Sequence, residues 1–125
     1  MKVMTKKEIA RDFLNLAAKG HSQEAFRLYI SPRFKHHNAY FKGDPDTLMQ
    51  AIEESARLNP DKIFEIHHIL EDDDMVAVHS HVKQNVTDLG TAVVHFFRFE
   101  SDKIIELWDL GQCIPPKMIN ENGMF

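Results

Sequence analysis

One cysteine stands among the 125 residues. Cys113 has no partner for an internal disulfide, so stability must come from a packed core. Apolar runs are short, and none has the length needed to span a bilayer. The opening segment MKVMTKKEIARDF carries no apolar stretch behind its lysines. No secretory signal is therefore expected, and the cytoplasm is the expected location. Neither sign of charge dominates: 15 basic and 19 acidic residues are well mixed, for a net charge of −4. Without a basic stripe, nucleic acid is not an expected partner. Repeats, linkers, phosphate loops, nucleophile elbows and dinucleotide fingerprints are all lacking. What remains is a chain with 43% hydrophobic residues. That suffices for a single domain over residues 1–125, which would bury roughly two thirds of its unfolded surface.

The apolar pattern changes near Pro60. Before it, apolar residues recur at helical spacing; after it, they alternate. Thr5-Lys6-Lys7-Glu8 reads as a capping box. Ile9, Phe13, Leu16 and Ala17 follow as one stripe, and Gly20 stops the helix. A second helix is expected over about 22–30, ended by Ser31-Pro32. Asp44-Pro45 starts a third, with Asp as the cap and Pro at the first helical position. Leu48, Ile52 and Ala56 carry it to Asn59-Pro60. Four strands are then expected over 63–70, 75–84, 91–100 and 103–110, with turns at 71–74 and 101–102. Helices followed by strands joined through short turns argue for an α+β fold with an antiparallel meander.

The last hairpin carries the first candidate chemistry. A three-residue turn pairing Glu100 with Ile104 would set Arg98 against Glu106, a solvent-side ion pair. The other face would then pair Phe97 with Leu107 and His95 with Asp109, with Phe99 and Ile105 beside them. A two-residue turn would shift the register and break that arrangement. The first register sorts polar from apolar residues cleanly and is the one expected. An aspartate on an apolar wall is disfavoured as a carboxylate, which suits it to shuttling protons near neutral pH. The alternative is structural: Asp109 holds His95 or caps its strand. A second candidate is the loop Phe34-Lys35-His36-His37-Asn38-Ala39-Tyr40-Phe41. There His37, Asn38 and Tyr40 could line a pocket mouth, or the aromatics could simply anchor a surface loop.

Eight histidines raise the question of metal. His79-x-His81 places two imidazoles on one strand face. A cupin would follow such a pair with a glutamate, whereas here Val82-Lys83-Gln84-Asn85-Val86 follows and no carboxylate comes until Asp88. Adjacent His67 and His68 would point to opposite faces. No metal and no organic cofactor is expected. Cys113 has no base beside it and is not expected to act as a nucleophile.

These residues together resemble the SnoaL-like polyketide cyclase family of the nuclear transport factor 2-like superfamily. Phe34-Lys35-His36-His37-Asn38 resembles its His-Asn motif after the second helix. The stretch from Val93 to Glu100, then Lys103 to Asp109, resembles its last hairpin. The tail from Gly111-Gln112 to Asn120-Glu121-Asn122-Gly123-Met124-Phe125 is similar to a subgroup expected to catalyse aldol condensation. The resemblance implies helices packed on a curved antiparallel sheet around a cone-shaped pocket, as in cystatin-like folds. It also implies cofactor-independent acid/base chemistry on a small carbonyl compound. Asp109 would be the acid/base, with His95 and Asn38 nearby and Phe97, Phe99 and Leu107 on the wall. Ala39 departs from the proline common in that motif. The same fold also serves isomerases and non-catalytic binding modules.

Both faces of the expected strands are rich in apolar residues. On 75–82 one face carries Met75, Ala77, His79 and His81; the other carries Val76, Val78, Ser80 and Val82. Three helices can cover one face only, so a homodimer through the outer face is expected. The patch would comprise Ala92, Val94, Phe96, Ile104, Trp108 and the valine row. The alternative cover is the tail, through Ile114, Met118, Ile119 and Phe125.

Overall fold

The computed structural model describes residues 3–125; Met1 and Lys2 of the opening segment lie outside the described residues. Three helices, α1 (Lys6–Ala18), α2 (Ser22–Tyr29) and α3 (Pro45–Leu58), accompany five strands. The strands are β1 (Ile30–His36), β2 (Ile63–Asp72), β3 (Met75–Lys83), β4 (Thr91–Glu100) and β5 (Lys103–Cys113).

Local chemistry explains the helix ends. The Thr5 hydroxyl accepts from Glu8 N–H, and Glu8 Oε1 accepts from Thr5 N–H, both at 3.1 Å. This is the expected capping box, and it satisfies two N-terminal donors at once. Beyond Ala18 the chain turns at Gly20, at φ +88°, and His21 N–H returns to Leu16 O at 2.8 Å. Only glycine takes that backbone conformation without strain. Asp44 caps α3 by accepting from Thr47 N–H at 2.9 Å, with Pro45 in the first turn.

The sheet runs in the order β1-β5-β4-β3-β2. The last four strands form the expected antiparallel meander, but the sheet is mixed. β1, which the sequence pattern assigned to a helix end and a loop, pairs in parallel with β5. As an edge strand it tolerates Pro32, whose missing N–H can face away from the ladder.

The turn of the last hairpin also differs from expectation. Glu100 pairs with Lys103 across a two-residue turn, and Phe99 pairs with Ile104. A bulge at Ile105 then restores Arg98 opposite Glu106, Phe97 opposite Leu107 and His95 opposite Asp109. An extra residue in one strand offsets the register shift that the shorter turn introduces. Ile104, not Ile105, therefore joins Phe99 on the inner face, and it is fully buried.

The inner face and the helices make the core. Phe13 of α1 meets Phe97 edge-on at 5.8 Å and Phe26 at 5.4 Å. Val76 and Val78 are buried there, so the valine row belongs to the core and not to an outer patch. His79 and His81, on the opposite side of β3, face outward. Phe125 stacks on both, at 5.2 and 4.5 Å, and on His67 at 4.6 Å. The tail thus covers part of the outer face through Phe125, while Ile119 stays fully exposed.

Candidate active site

The parallel pairing of β1 decides how the site assembles. It sets His36 beside Leu107, and His37 N–H donates to Leu107 O at 2.9 Å. Continuing along β5 brings Asn38 to Asp109, where Asn38 Nδ2 donates to Asp109 Oδ2 at 2.9 Å. The amide is held in that orientation because its Oδ1 accepts from Tyr40 N–H at 2.9 Å. Buried His36 closes the loop. Its Nδ1 accepts from Asn38 N–H at 3.2 Å, and its Nε2 donates to Lys42 O at 2.7 Å. Those two roles require the neutral Nε2–H tautomer.

His95 sits opposite Asp109 on β4, with no hydrogen bond between them. Its ring lies nearly parallel to Phe97 at 6.1 Å. Nδ1 is shielded from solvent and has no hydrogen-bond partner among the described residues. Burial pushes the pKa of His95 down to about 4, with the Asp109 charge opposing the shift only in part. The imidazole is therefore neutral at pH 7.

These groups line a cavity of about 400 Å³ between the helices and the inner face. Its apolar wall includes Leu14 and Ala17 of α1, Ala51 and Ile52 of α3, and Phe64 and Val93 of the sheet. Its polar groups are Asn38, Ser55, Lys62, Thr91, His95 and Asp109. A larger depression of about 590 Å³ opens where α1, α3 and the start of β2 meet. Lys19, Glu53 and Arg57 border it, and the paired residues of β4 and β5 do not reach it.

The other expected site residues divide. Leu107 lines the cavity. Phe97 and Phe99 share the inner face, but at 0% and 3% exposure they are core beneath the cavity and not its wall. The helix packing that buries them, led by Phe13, leaves no space beside them. His37 faces outward, because alternation sends neighbouring strand residues to opposite sides. It donates to Glu106 Oε2 at 2.6 Å and stacks on Trp108 at 5.0 Å. That hydrogen bond is the main cause holding the Glu106 carboxyl below its usual range. Tyr40 is 90% exposed, carried away by the turn that Asn38 Oδ1 closes. Phe41 lines the cavity in its stead.

Sequence reasoning missed Ser55 of α3, Lys62 of the α3–β2 connection and Phe64 of β2, which reach the cavity. Only the proximity of Asn59-Pro60 hinted that the chain reverses there. Among the described residues, no three His, Cys, Asp or Glu side chains converge as a metal site. His68 Nδ1 and His79 Nδ1 approach to 3.0 Å on the outer face, away from the cavity.

Similarity to known proteins agrees with this layout at the level of fold. Solved structures superimpose closely. AclR, a candidate hydroxylase from Streptomyces galilaeus, gives a TM-score of 0.73 at 18% identity, over 86% of this chain and 88% of that one. A cystatin-fold protein from Novosphingobium aromaticivorans gives 0.72 at 16%, over 86% and 99%. A SnoaL-like polyketide cyclase from Agrobacterium tumefaciens gives 0.70 at 16%, over 88% and 93%. No curated protein matches the sequence. Residues 10–107 match the SnoaL-like domain, so the chain belongs to the SnoaL-like domain family.

Proposed function

We propose that the protein is a cofactor-independent acid/base enzyme acting on a small carbonyl compound. The observation that carries this reading is a largely apolar cavity holding one carboxylate, oriented by Asn38, beside a neutral imidazole. In this reading Asp109 takes a proton from the carbon next to the carbonyl. The electron pair moves onto the carbonyl oxygen, and the oxyanion is met by the neutral His95 ring, which lines the cavity. A neutral imidazole is a suitable donor because it stays bound to its proton while polarising the oxygen. The second N–H of Asn38 Nδ2 is free to join it. The resulting enolate can attack a second carbonyl, giving aldol chemistry, or take the proton back elsewhere, giving isomerisation.

A panel of ketones in D₂O tests the first step without knowledge of the true substrate. Enzyme-dependent deuteration next to the carbonyl, followed by NMR, is expected for at least one member. Asp109→Asn should lower that rate by a factor on the order of 10² to 10⁴ while sparing ligand binding. Equal exchange rates in the two proteins would end the acid/base assignment. A non-catalytic small-ligand module is the second reading, favoured by the same cavity if no exchange is found.

The expected assembly belongs to the same reading. The outer face still presents Ala92, Val94 and Phe96, and Leu110 is 66% exposed. A two-fold contact between sheets would bury these beside the part that Phe125 covers. Light scattering should therefore give twice the 14.5 kDa chain mass; the mass of one chain would remove the dimer. The family and the cavity suit a small-molecule ligand, and no described helix is long and apolar enough to cross a membrane. A cytoplasmic location is part of the proposal.

A further inference from the structure

Lys62 stands in the four-residue connection between α3 and β2. It is partly buried, and its Nζ donates to Ser55 Oγ at 2.8 Å. Ser55 lines the apolar cavity and does not border the outer depression. The hydrogen bond therefore sets the ammonium against a residue of the cavity wall, although Lys62 also borders the outer depression and a third one beside Asn85, Val86 and Thr87. Among the described residues no carboxylate lies within ion-pair distance of Lys62. An ammonium has three donors, and here the protein uses one. Burial without a counter-charge also pulls the Lys62 pKa down. A half-buried cation with unused donors is unfavourable until an anion reaches it. Among the described residues it is the one cation on this cavity at neutral pH, because His95 is neutral there.

Register separates this charge from the reacting pair. Lys62 precedes Ile63, and Phe64 lies in one row with Val82 and Thr91. His95 is four residues farther along β4, a rise of about 13 Å. Anion recognition and proton transfer would thus occupy opposite ends of the cavity. We propose that Lys62 recognises a carboxylate on the substrate, which is an elongated, mostly apolar carbonyl compound bound with its carboxylate at Lys62 and its reacting carbon at Asp109. The second half rests on the acid/base reading above; the first half does not.

Two fluorescent probes that differ only by an anionic group test the first half: 1-anilinonaphthalene-8-sulfonate and N-phenyl-1-naphthylamine. The sulfonate stands in for the carboxylate. The natural protein should bind the sulfonate about tenfold more tightly than the neutral probe. Lys62→Met should erase that preference and leave the neutral probe within about twofold, and Lys62→Gln should repeat the result. Lys62→Arg should keep the preference, and Lys19→Met, on the outer depression, should not change it. No preference in the natural protein would overturn the proposal. So would equal weakening of both probes by Lys62→Met and Lys62→Gln, or a preference that depends on Lys19 instead. Asp109→Asn should retain the preference. Failure of the acid/base reading would therefore appear only in ketone deuteration, and failure of anion recognition only in the probe ratio.

Discussion

The two ends of the inner sheet face share strands and alternation, yet one end is sealed and the other is hollow. Toward the last hairpin, Phe97, Phe99, Ile104 and Val76 fill the space, with exposures of 0 to 3%. Toward the opposite end the same rows carry small groups: Val93 lies between Ser80 and Gly111. The helices facing that end offer Ala17, Ala18 and Ala51. The change takes two residues, from Phe97 to His95. Closed and open ends are thus decided by side-chain volume, since packed interiors leave few voids unless small residues face one another. The sealed end also serves the open one: Phe97 supports the His95 ring that the cavity uses.

Truncation should separate the two ends most strongly. Phe97→Ala is expected to lower stability by about 3 to 5 kcal/mol, because the surrounding aromatic cluster cannot collapse into the void. Val93→Ala, two residues along the same face, already borders a cavity and should lose about 1 kcal/mol or less. Urea unfolding of both variants checks the contrast, and equal losses would mean that the open end is packed as tightly as the closed one.

The next effect is electrostatic. His95 has a folded-state pKa of about 4 against the ordinary 6.5. Between those values the unfolded chain binds a proton that the folded protein refuses. Stability should therefore be intact above pH 6.5 and fall as the pH drops toward 4, by roughly 3 kcal/mol for this group at most. His95→Gln should flatten that part of the profile in urea titrations at pH 7 and pH 5. An unchanged slope would place its cause elsewhere.

The smallest effect lies at the hairpin tip that closes the sealed end. Ser101 adopts φ +55°, a left-handed conformation that disfavours side chains other than those of glycine and asparagine. Ser101→Gly should raise stability by about 0.5 kcal/mol, read as a small rise in Tm, with cavity binding unchanged.

Much of this frame was legible from local pattern. The capping box at Thr5, the Asp44-Pro45 start and the alternation of β3 to β5 depend on neighbours a few residues away. His95 and Asp109 could be placed on one face because strand side chains repeat every two residues. Their pairing, however, depends on more than that period: the turn has two residues, not the three expected, and only the bulge at Ile105 restores the alignment. Asn38 was legible with His37 and Tyr40 as a pocket-mouth residue, but only the resemblance set it near Asp109, and nothing local distinguished it from Tyr40, which points into solvent.

By itself, then, the sequence determined the helix ends, the meander and the α+β class. Each follows from period, capping or turn chemistry within a short window. The tertiary structure alone decided the parallel pairing of β1 with β5, which delivers Asn38 to Asp109 from 71 residues away. It also decided the burial of the valine row, the seat of Phe125 on the outer histidines and the arrival of Lys62 at the cavity. Those outcomes depend on which surfaces meet after the chain has closed its long loops, and no short-range pattern encodes that choice.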